Sequence, residues 1–214
     1  MRRSGITATL CKAVTALRVN DAADEFDARY GTATRGVEPL WKLNIRSSNA
    51  RHGVHYKPSD EQELKDAIDF LGEDPAVLTF VDLGCGKGRT LIVASALGFE
   101  RIIGVEFAAE LVEIARANLM KLQINNTFVV HTDAAEFDFE DRDMVVYLYN
   151  PFSAPVMEAV LRKLEVTRSR RLYVVYKNPV CAPLLDACRF LRPLGIPPAR
   201  PSIKVWTRES GPAQ

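Results

Sequence analysis

The stretch that decides the fold is Leu78-Thr-Phe-Val-Asp-Leu-Gly-Cys-Gly-Lys-Gly-Arg-Thr-Leu-Ile-Val-Ala-Ser-Ala-Leu97. Residues 78–83 form a short and mostly apolar run, which is typical of a parallel strand buried on both faces. From Leu91 onward, apolar residues recur at helical spacing. The junction between the two patterns carries Gly84, Gly86 and Gly88. Because glycine leaves the backbone bare, a ligand can lie against this loop at the N-terminus of a helix.

The spacing of the glycines separates this loop from two common nucleotide-binding loops. A dinucleotide fingerprint reads G-x-G-x-x-G, and its third glycine lets the helix pack close to the strand. Here Arg89, a long cation, stands three residues after Gly86. A P-loop needs Ser or Thr after its lysine, whereas Lys87 is followed by Gly88. The sequence therefore disfavours both a dinucleotide site and a P-loop.

The segment Val81-Asp-Leu-Gly-Cys-Gly-Lys-Gly88 resembles the first motif of class I S-adenosylmethionine-dependent methyltransferases. The resemblance implies a doubly wound, Rossmann-like α/β fold that binds S-adenosylmethionine. It also implies that Asp82 lies under the loop and orients the loop and the methionine moiety of the cofactor. The other cofactor-binding residues implied in this loop are Gly84, Cys85, Gly86 and Gly88. A glycine triplet that serves only chain geometry is the alternative.

The length and composition are those of one globular domain. Of the 214 residues, 47% are hydrophobic and 26% are charged, which is enough to bury a sizeable core. No stretch approaches the roughly 18 uninterrupted apolar residues of a membrane span. Residues 1–17 have basic residues at their start, but Lys12 interrupts the apolar run that follows, which disfavours a secretory signal. A targeting segment that is poor in acidic residues stays open. We expect a cytoplasmic protein that has no membrane partner.

The cysteines indicate neither a disulfide framework nor a metal site. The four of them, Cys11, Cys85, Cys181 and Cys188, form no C-x-x-C pair and have no histidine cluster nearby. Cys181 and Cys188 are predicted to lie two turns apart on one helix as buried small residues. Cys85 is predicted to be a compact filler within the glycine loop. We expect no metal.

Charge is distributed unevenly although the net charge is only +1. Residues 160–209 contain eleven Lys or Arg against three Asp or Glu. We expect these cations to lie on solvated faces or to pair with the acidic run at residues 133–143, and an anion-binding surface is the alternative. A nucleic-acid partner stays open, but no recognition motif supports it.

Residues 1–57 lack strand alternation and are predicted to form a helical and looped cap. Aromatic residues favour burial, so we expect Tyr30, Trp41 and Tyr56 to pack against the domain and the cap to cover the cofactor cleft. Tyr30 and Tyr56 are the candidates for closing the cleft against water. His52 and His55 are expected to be surface loop residues rather than a catalytic base. After the cap, Ser59 and Gln62 match a capping box and predict a helix that runs to about residue 71.

After the glycine loop, strands and helices alternate, as in a parallel sheet covered by helices. The second predicted strand, residues 101–106, ends in Glu106, 24 positions after Asp82. In nucleotide-binding α/β units, an acidic residue about 20 positions on contacts a ribose, and a carboxylate can accept two hydroxyl hydrogen bonds. The methyltransferase family likewise has an acidic residue here. Glu106 is therefore the predicted ribose ligand, and a solvent-facing glutamate is the alternative.

A helix over residues 108–122 and a third strand over residues 127–131 come next. Asp133 lies just past the end of that strand. The resemblance implies that an acidic residue at this place contacts the adenine of the cofactor. Asp133 is therefore the predicted ligand of the adenine amino group.

The fourth predicted strand, residues 144–149, runs into Asn150-Pro-Phe152. Open α/β sheets bind substrates at the carboxyl edge, where this segment is expected to lie. It resembles the (N/D)-P-P-(Y/F) motif of methyltransferases that act on amino nitrogens, although one proline is missing. The resemblance implies that the Asn150 side chain and the Pro151 carbonyl orient an N–H donor and that Phe152 stacks on the acceptor. A plain Asn-Pro turn is the alternative.

The remaining pattern completes a single-domain α/β fold. A helix over residues 155–164, a fifth strand over 171–176, a helix through residue 188 and two closing strands bring the count to seven. We predict a doubly wound, mostly parallel seven-stranded sheet with an antiparallel last strand. The predicted organisation is a helical N-terminal cap at residues 1–57, a methyltransferase domain at 58–209 and a tail at 210–214.

The resulting hypothesis is an S-adenosylmethionine-dependent methyltransferase that acts mainly by positioning its substrates. Its acceptor is an amino or amide nitrogen of an unidentified protein, RNA or small molecule. Two alternatives stay open, a non-catalytic module that binds S-adenosylmethionine and an NAD-dependent oxidoreductase. Arg89 counts against the oxidoreductase, because that fingerprint has a small residue there.

Overall fold

The computed structural model describes residues 24–208 as a seven-stranded sheet flanked by helices. The strands are β1 (Thr79–Leu83), β2 (Arg101–Glu106), β3 (Thr127–His131), β4 (Met144–Tyr149), β5 (Leu172–Lys177), β6 (Leu191–Gly195) and β7 (Ile203–Arg208). The helices are α1 (Glu25–Tyr30), α2 (Glu61–Asp69), α3 (Arg89–Ala96), α4 (Ala109–Lys121), α5 (Ala154–Glu165) and α6 (Ala182–Asp186). Short 3₁₀ turns occur at Leu40–Lys42, Ala50–His52 and Pro75–Val77.

The strand order across the sheet is β3-β2-β1-β4-β5-β7-β6. Strands β1 to β5 pair in parallel, and β7 runs antiparallel between β5 and β6. The chain thus begins its sheet in the middle, winds outward to β3 and then returns to start the other half at β4. This confirms the predicted doubly wound sheet with an antiparallel last strand. It also places a topological switch point between β1 and β4, where such sheets bind ligands.

The core lies on both faces of the sheet because successive strand residues point to opposite sides. One face packs against α2 and α3 through residues such as Phe80, Val145 and Val175. The other face packs against α5 through Val81, Val146 and Val174. Burial on both faces explains why β1, β4 and β5 read as nearly continuous apolar runs. The two helical layers leave the carboxyl edge of the sheet free to carry polar loops.

The described part of the N-terminal region lies along that carboxyl edge. We call residues 24–57 the strap. Apart from α1 and two 3₁₀ turns, the strap is irregular, and isolated β-bridges join Glu38 to Tyr56 and Gly53 to Phe152. The second bridge fastens the strap to the loop that follows β4. Residues 1–23 and 209–214, which include Cys11, the N-terminal stretch and the predicted tail, lie outside the described residues.

The helix predicted to begin with a Ser59 capping box begins one residue later. The N-cap of α2 is Asp60, whose side chain accepts a hydrogen bond from the Glu63 N–H at 2.9 Å. Ser59 is buried instead, and its hydroxyl oxygen accepts a hydrogen bond from Tyr147 at 3.4 Å. An ionised carboxylate is a strong acceptor for the free N–H groups of a first turn, which accounts for the shift.

The prediction that Cys181 and Cys188 share one helix is wrong. Helix α6 spans only Ala182–Asp186, so Cys181 precedes it and Cys188 follows it. The helix is short because Pro183 opens it and the chain must turn into β6 soon afterwards. Cys181 is buried, Cys188 is half-buried and Cys85 is buried, as a small filler should be. No helix within residues 24–208 is long and apolar enough to cross a bilayer.

Candidate functional site

A cavity of about 250 Å³ opens at the carboxyl ends of β1, β2, β4 and β5, beneath the strap. We call it the large cavity. Side chains from the sheet edge and from the strap line it together, including Asp82, Glu106, Asn150, Asn178, Tyr56 and Lys57. The parallel strands bring these residues to one edge although more than 120 positions separate the first from the last. The sequence-predicted residues Asp82, Glu106 and Asn150 therefore meet in one place.

Asp82 is buried at the end of β1 and fixes the entry to the glycine loop. The Thr90 hydroxyl, in the first turn of α3, donates a hydrogen bond to Asp82 Oδ2. Burial raises the pKa of Asp82 to about 7, while the Thr90 hydrogen bond opposes the shift and the charge of Glu106 adds to it. Asp82 thus joins the strand to the helix beneath the loop, as the resemblance implies.

Glu106 holds the glycine loop against the end of β2. Its Oε2 accepts a hydrogen bond from the Gly86 N–H at 2.9 Å, and its Oε1 accepts one from the Ala108 N–H at 2.9 Å. Burial raises the pKa of Glu106, although these two backbone N–H groups oppose the shift. Each carboxylate oxygen has two acceptor sites, so Glu106 retains capacity for two further donors. A pair of ribose hydroxyls would match that capacity.

The three glycines of the loop all have positive φ, at 87°, 54° and 83°. A Cβ on Gly84 would lie 2.7 Å from Pro151 Cβ, and a Cβ on Gly86 would overlap the Tyr56 ring. The loop therefore passes directly between the strap and the segment after β4. Cys85 lies within it, and burial raises the pKa of its thiol well above the usual value, which keeps the sulfur neutral.

Asp133 lines a second, narrower cavity of about 30 Å³ that it shares with Glu106 and Phe107. The predicted ribose and adenine ligands thus lie along one continuous edge. Asp133 is already engaged by the strap: its Oδ2 accepts hydrogen bonds from the Ser47 hydroxyl and from Asn49 Nδ2. Its Oδ1 accepts one from the Ala135 N–H at 2.8 Å and keeps one acceptor site.

The predicted acceptor residues Asn150, Pro151 and Phe152 do not all face the same space. Asn150 has φ of 40°, lines the large cavity and accepts a hydrogen bond from the Tyr176 hydroxyl at Oδ1, 3.3 Å away. The Pro151 carbonyl already accepts a hydrogen bond from the Val54 N–H at 3.0 Å. Phe152 is buried and lines the narrow cavity rather than the large one. In this arrangement Phe152 lies beside Asp133.

Asn178 is a cavity residue that the sequence prediction left out of the site. It follows β5 as Asn150 follows β4, it adopts φ of 50°, and its N–H donates to the Ser202 carbonyl at 2.7 Å. Both asparagines precede a proline and both line the large cavity. Asparagine tolerates the left-handed region better than most residues do. The repeated Asn-Pro pair after adjacent strands is the sequence signal that the two turns shape one pocket.

The two cations of the glycine loop are the anchors of the strap. Arg89 Nε donates to Thr34 Oγ1 at 2.8 Å, and Arg89 Nη2 lies 2.5 Å from Asp24 Oδ2. Lys87 Nζ lies 2.8 Å from Glu38 Oε1. From the sequence, Arg89 is expected only to disfavour a dinucleotide site, and its contact with the strap is not predicted. Acidic residues at the start of the strap and cations in the loop were the available signal.

Asp27 organises the strap from within. Its carboxylate accepts hydrogen bonds from both the N–H and the hydroxyl of Thr34, from the Thr32 hydroxyl and from the Arg35 N–H. Although burial opposes it, these hydrogen bonds hold the pKa of Asp27 below its usual value. The Tyr56 hydroxyl then donates to the Thr34 carbonyl at 2.5 Å, and burial raises the pKa of Tyr56.

The two strap histidines have different surroundings. His52 Nδ1 lies 2.8 Å from Ser153 Oγ, and the Ser153 N–H donates to the His52 carbonyl at 2.9 Å. His52 is thus a second clasp between the strap and the segment after β4. His55 is exposed at the mouth of the large cavity. Among the residues that the structure describes, no group of three or more His, Cys, Asp or Glu side chains is placed to hold a metal ion.

Comparisons with known proteins indicate a methyltransferase domain. Residues 80–167 match the family model described as a methyltransferase domain. An uncharacterized protein of Methanocaldococcus jannaschii is 31% identical over 119 residues, which are 51% of this chain and 54% of that protein. A 23S rRNA (uracil(1939)-C(5))-methyltransferase of Pseudomonas aeruginosa is 28% identical over 158 residues, 67% of this chain and 34% of that protein. The chain thus spans between about a third and a half of the length of these relatives.

Solved structures share the fold. A putative methyltransferase of Escherichia coli superposes with a TM-score of 0.61 at 15% identity, covering 82% of this chain and 100% of the other. At this level of identity, the similarity concerns the arrangement of the sheet and helices.

The raised pKa of Asp82 predicts a specific pH dependence of stability. Between pH 3.8 and about 7 the folded protein retains the Asp82 proton that the unfolded chain has lost, so this group lowers stability as the pH rises. Asp82→Asn removes the titration and leaves an oxygen that can accept from Thr90. We subtract the unfolding free energy of the unchanged protein from that of the Asp82→Asn variant. We expect this difference to increase by up to about 4 kcal/mol from pH 4 to pH 8.

Urea denaturation of both proteins at a series of pH values measures this difference. Comparing the two proteins at each pH cancels the titration of the carboxylates that do not interact with Asp82, whereas Glu106, whose charge acts on Asp82, contributes to the difference. A difference in unfolding free energy that stays constant over the whole range would show that Asp82 has an ordinary pKa.

Proposed function

We propose that this chain, a member of the class I methyltransferase family by its fold and by the methyltransferase domain at residues 80–167, transfers a methyl group from S-adenosylmethionine to an amino or amide nitrogen. The observation that carries the proposal is the convergence of Glu106, the glycine loop and Asn150 on one cavity at the switch point of the sheet. Ligands of open α/β sheets bind at that place.

The residues present fit the proposed cofactor. Glu106 is buried, and each of its oxygens accepts one backbone N–H at 2.9 Å, while the Phe107 N–H also favours its charged form. Acceptor capacity therefore remains for ribose hydroxyls. The loop residues Gly84 and Cys85 line the same cavity, and a side chain on Gly84 would fill the space beside Pro151. Asp133 and the Phe152 ring line the narrow cavity next to Glu106, where an adenine would have a polar edge and an apolar face.

The proposed assignment gives Phe152 a different task from the one that the sequence indicated. An aromatic ring beside Asp133 suits the face of the adenine better than the acceptor. Asn150 keeps the acceptor role, because its side chain lines the large cavity and its Oδ1 has a single, long hydrogen bond from Tyr176. The Pro151 carbonyl retains one acceptor site beside its bond from Val54.

The mechanism derived from these residues is one of positioning. The cofactor supplies, when bound, a sulfonium methyl group that is already electrophilic. Asn150 would accept a hydrogen bond from the acceptor N–H and aim the nitrogen lone pair, and Tyr176 would hold the Asn150 side chain in place. Tyr56 and the strap would cover the cavity and exclude water. The chain needs no strong base in this scheme if the acceptor nitrogen reaches the site uncharged.

The position of Arg89 supports this proposal over an oxidoreductase. A dinucleotide loop needs a small residue there so that the helix approaches the strand closely. The Arg89 side chain is instead buried and binds Asp24 and Thr34. Its Cζ atom lies 4.6 Å from the centre of the Phe26 ring. The remaining alternative is a module that binds the cofactor without catalysis, and Asn150 is the residue that distinguishes the two.

Glu106→Ala tests the cofactor site. We expect the dissociation constant for S-adenosylmethionine to rise by roughly 10-fold to 150-fold, the loss of about 1.5 to 3 kcal/mol that hydrogen bonds to a charged group contribute. Titration calorimetry measures the constant, and Glu106→Gln is a second variant that retains an acceptor for the loop. Glu113→Ala is the matched control, because that carboxylate is exposed on α4. A folded Glu106 variant with unchanged affinity would place the ribose elsewhere.

Asn150→Gly tests the acceptor site. Glycine accepts the φ of 40° without strain, so the variant removes the side chain and little else. We expect the rate of methyl transfer to fall about 100-fold while the affinity for S-adenosylmethionine stays within twofold, since misplacing the nucleophile acts on the transition state. Gln123→Gly is the control, because Gln123 is exposed and also has positive φ.

The assay requires an acceptor, which radiolabelled methyl transfer into protein, RNA and small-molecule fractions of a cell extract would identify. If the Asn150 variant transferred methyl groups at the normal rate, the acceptor role of this residue would be wrong. If no fraction were labelled while the cofactor bound tightly, the non-catalytic module would be the better interpretation.

A further inference from the structure

The strap has several exposed cations that form no ion pair within residues 24–208. Between residues 35 and 57 the chain has one carboxylate, Glu38, which is engaged by Lys87. The same segment has five exposed basic residues, and within residues 24–208 none of them forms an ion pair: Arg35, Lys42, Arg46, Arg51 and Lys57. We call these five residues and Trp41 the strap surface. The Glu110 carboxylate of α4 also reaches this segment, where it accepts a hydrogen bond from the Asn44 N–H at 3.0 Å, but cations outnumber carboxylates here. Such an excess of positive charge raises the local concentration of anions.

The basic residues of the last third of the chain behave differently. Most of them are neutralised by carboxylates of the body of the protein. The pairs are Lys163 with Asp138, Arg168 with Asp141, Arg171 with Asp143 and Glu73, Lys177 with Glu63, Arg200 with Asp66, and Lys204 with Asp186. The sequence directs attention to this basic third, where these ion pairs engage six of the eleven cations. None of the five exposed cations of the strap forms an ion pair within residues 24–208.

Trp41 is the second distinguishing feature of the strap surface. The prediction that Trp41 is buried like the other cap aromatics is wrong, because its side chain is 81% exposed, whereas the other tryptophan, Trp206, is fully buried. Lys42 Nζ lies 5.3 Å from the centre of the Trp41 ring. A single exposed apolar residue needs no explanation. An exposed indole next to the strap cations is different, because proteins that bind single-stranded nucleic acid combine aromatic rings with cations. Phosphates bind the cations, and an unpaired base stacks on the ring.

The strap surface is continuous with the large cavity. The turn that carries Trp41 lies beside the turn that carries Arg51, because a Cβ on Gly53 would come within 3.3 Å of Leu40 Cδ1. At its other end, Lys57 lines the cavity itself. A chain bound along the strap would therefore have one end at the cavity mouth.

We propose that the strap surface binds single-stranded nucleic acid, with a base stacked on Trp41 and the phosphates on the strap cations. The binding step stands on the surface alone. Delivery of a base amino group to Asn150 rests in addition on the proposed function. An acidic peptide would satisfy the cations but would gain nothing specific from an exposed indole, so the nucleic acid fits both features.

Fluorescence anisotropy of the full chain tests the binding step. The probe is a labelled oligonucleotide of about 12 nucleotides, as RNA and as DNA, with a duplex of equal length and polyglutamate as competitors. We expect Trp41→Ala to weaken single-strand binding roughly tenfold and Trp41→Phe to restore most of it, because phenylalanine also stacks. Met120→Ala, at a residue 78% exposed on α4, is the matched control and should change nothing.

The contribution of the strap cations is tested with the double variant Arg46→Ala and Arg51→Ala. Counterion release predicts that the slope of log affinity against log salt becomes shallower by roughly 1.4, or 0.7 for each lost phosphate contact. The control is Arg162→Ala with Arg170→Ala, which removes the same charge from exposed positions outside the strap. Comparing the RNA and DNA probes shows which nucleic acid is preferred, and either preference supports the proposal.

The proposal is overturned if the strap variants bind the single strand as tightly as their controls do. It is also overturned if polyglutamate or the duplex competes as well as the single strand and Trp41→Ala has no effect. Calorimetry with S-adenosylmethionine on the same preparations separates the two proposals. Loss of nucleic-acid binding with normal cofactor binding supports the strap surface, whereas absence of cofactor binding in the unchanged protein contradicts only the proposed function.

Discussion

The site depends on the carboxylate of Glu106, which binds the N–H groups of Gly86 and Ala108 at once. One buried side chain thereby fixes the glycine loop after β1 to the end of β2. The arrangement places an ionisable group in the interior, and burial raises its pKa. Its backbone donors offset part of that cost, because charge-assisted hydrogen bonds are strong. Donors from a bound ligand would offset more of it, so the loop and the ligand site are stabilised by the same group.

The strap is organised around the same loop. Lys87 and Arg89 leave the loop and bind carboxylates of the strap, while Tyr56 packs over Gly86. From there the strap crosses the ends of β3 and β4 through hydrogen bonds to Asp133 and Pro151. A substitution at Gly86 would therefore displace Tyr56 as well as any ligand. Glu106→Ala removes the acceptor of the Gly86 N–H, so Glu106→Gln, which retains an acceptor for the loop, belongs with it in the test of the cofactor site. Tyr56 and Lys57 of the strap line the large cavity, and the other strap cations without an ion pair within residues 24–208 are exposed along the same segment.

The sequence predicts the sheet well because the information is local. Apolar runs such as residues 144–149, which lie between the charged residues 140–143 and an Asn-Pro turn, identify strands regardless of their partners. The meeting of Asp82, Glu106 and Asn150 could be predicted as well, since parallel strands share an edge. The strap contacts could not, because the pairing of Arg89 with Asp24 spans 65 positions and has no periodic signal. The same holds for Phe152, whose side of the loop depends on its bridge to Gly53.

The central claim is that the glycine loop and Glu106 form a site for S-adenosylmethionine. Titration calorimetry of the full chain against S-adenosylmethionine, its demethylated product and NAD tests it most directly. The account predicts that the first two ligands bind to one site and compete with each other, and that NAD produces no binding heat. Binding of NAD together with no binding of S-adenosylmethionine would contradict it, because the loop would then serve the dinucleotide that Arg89 is expected to exclude.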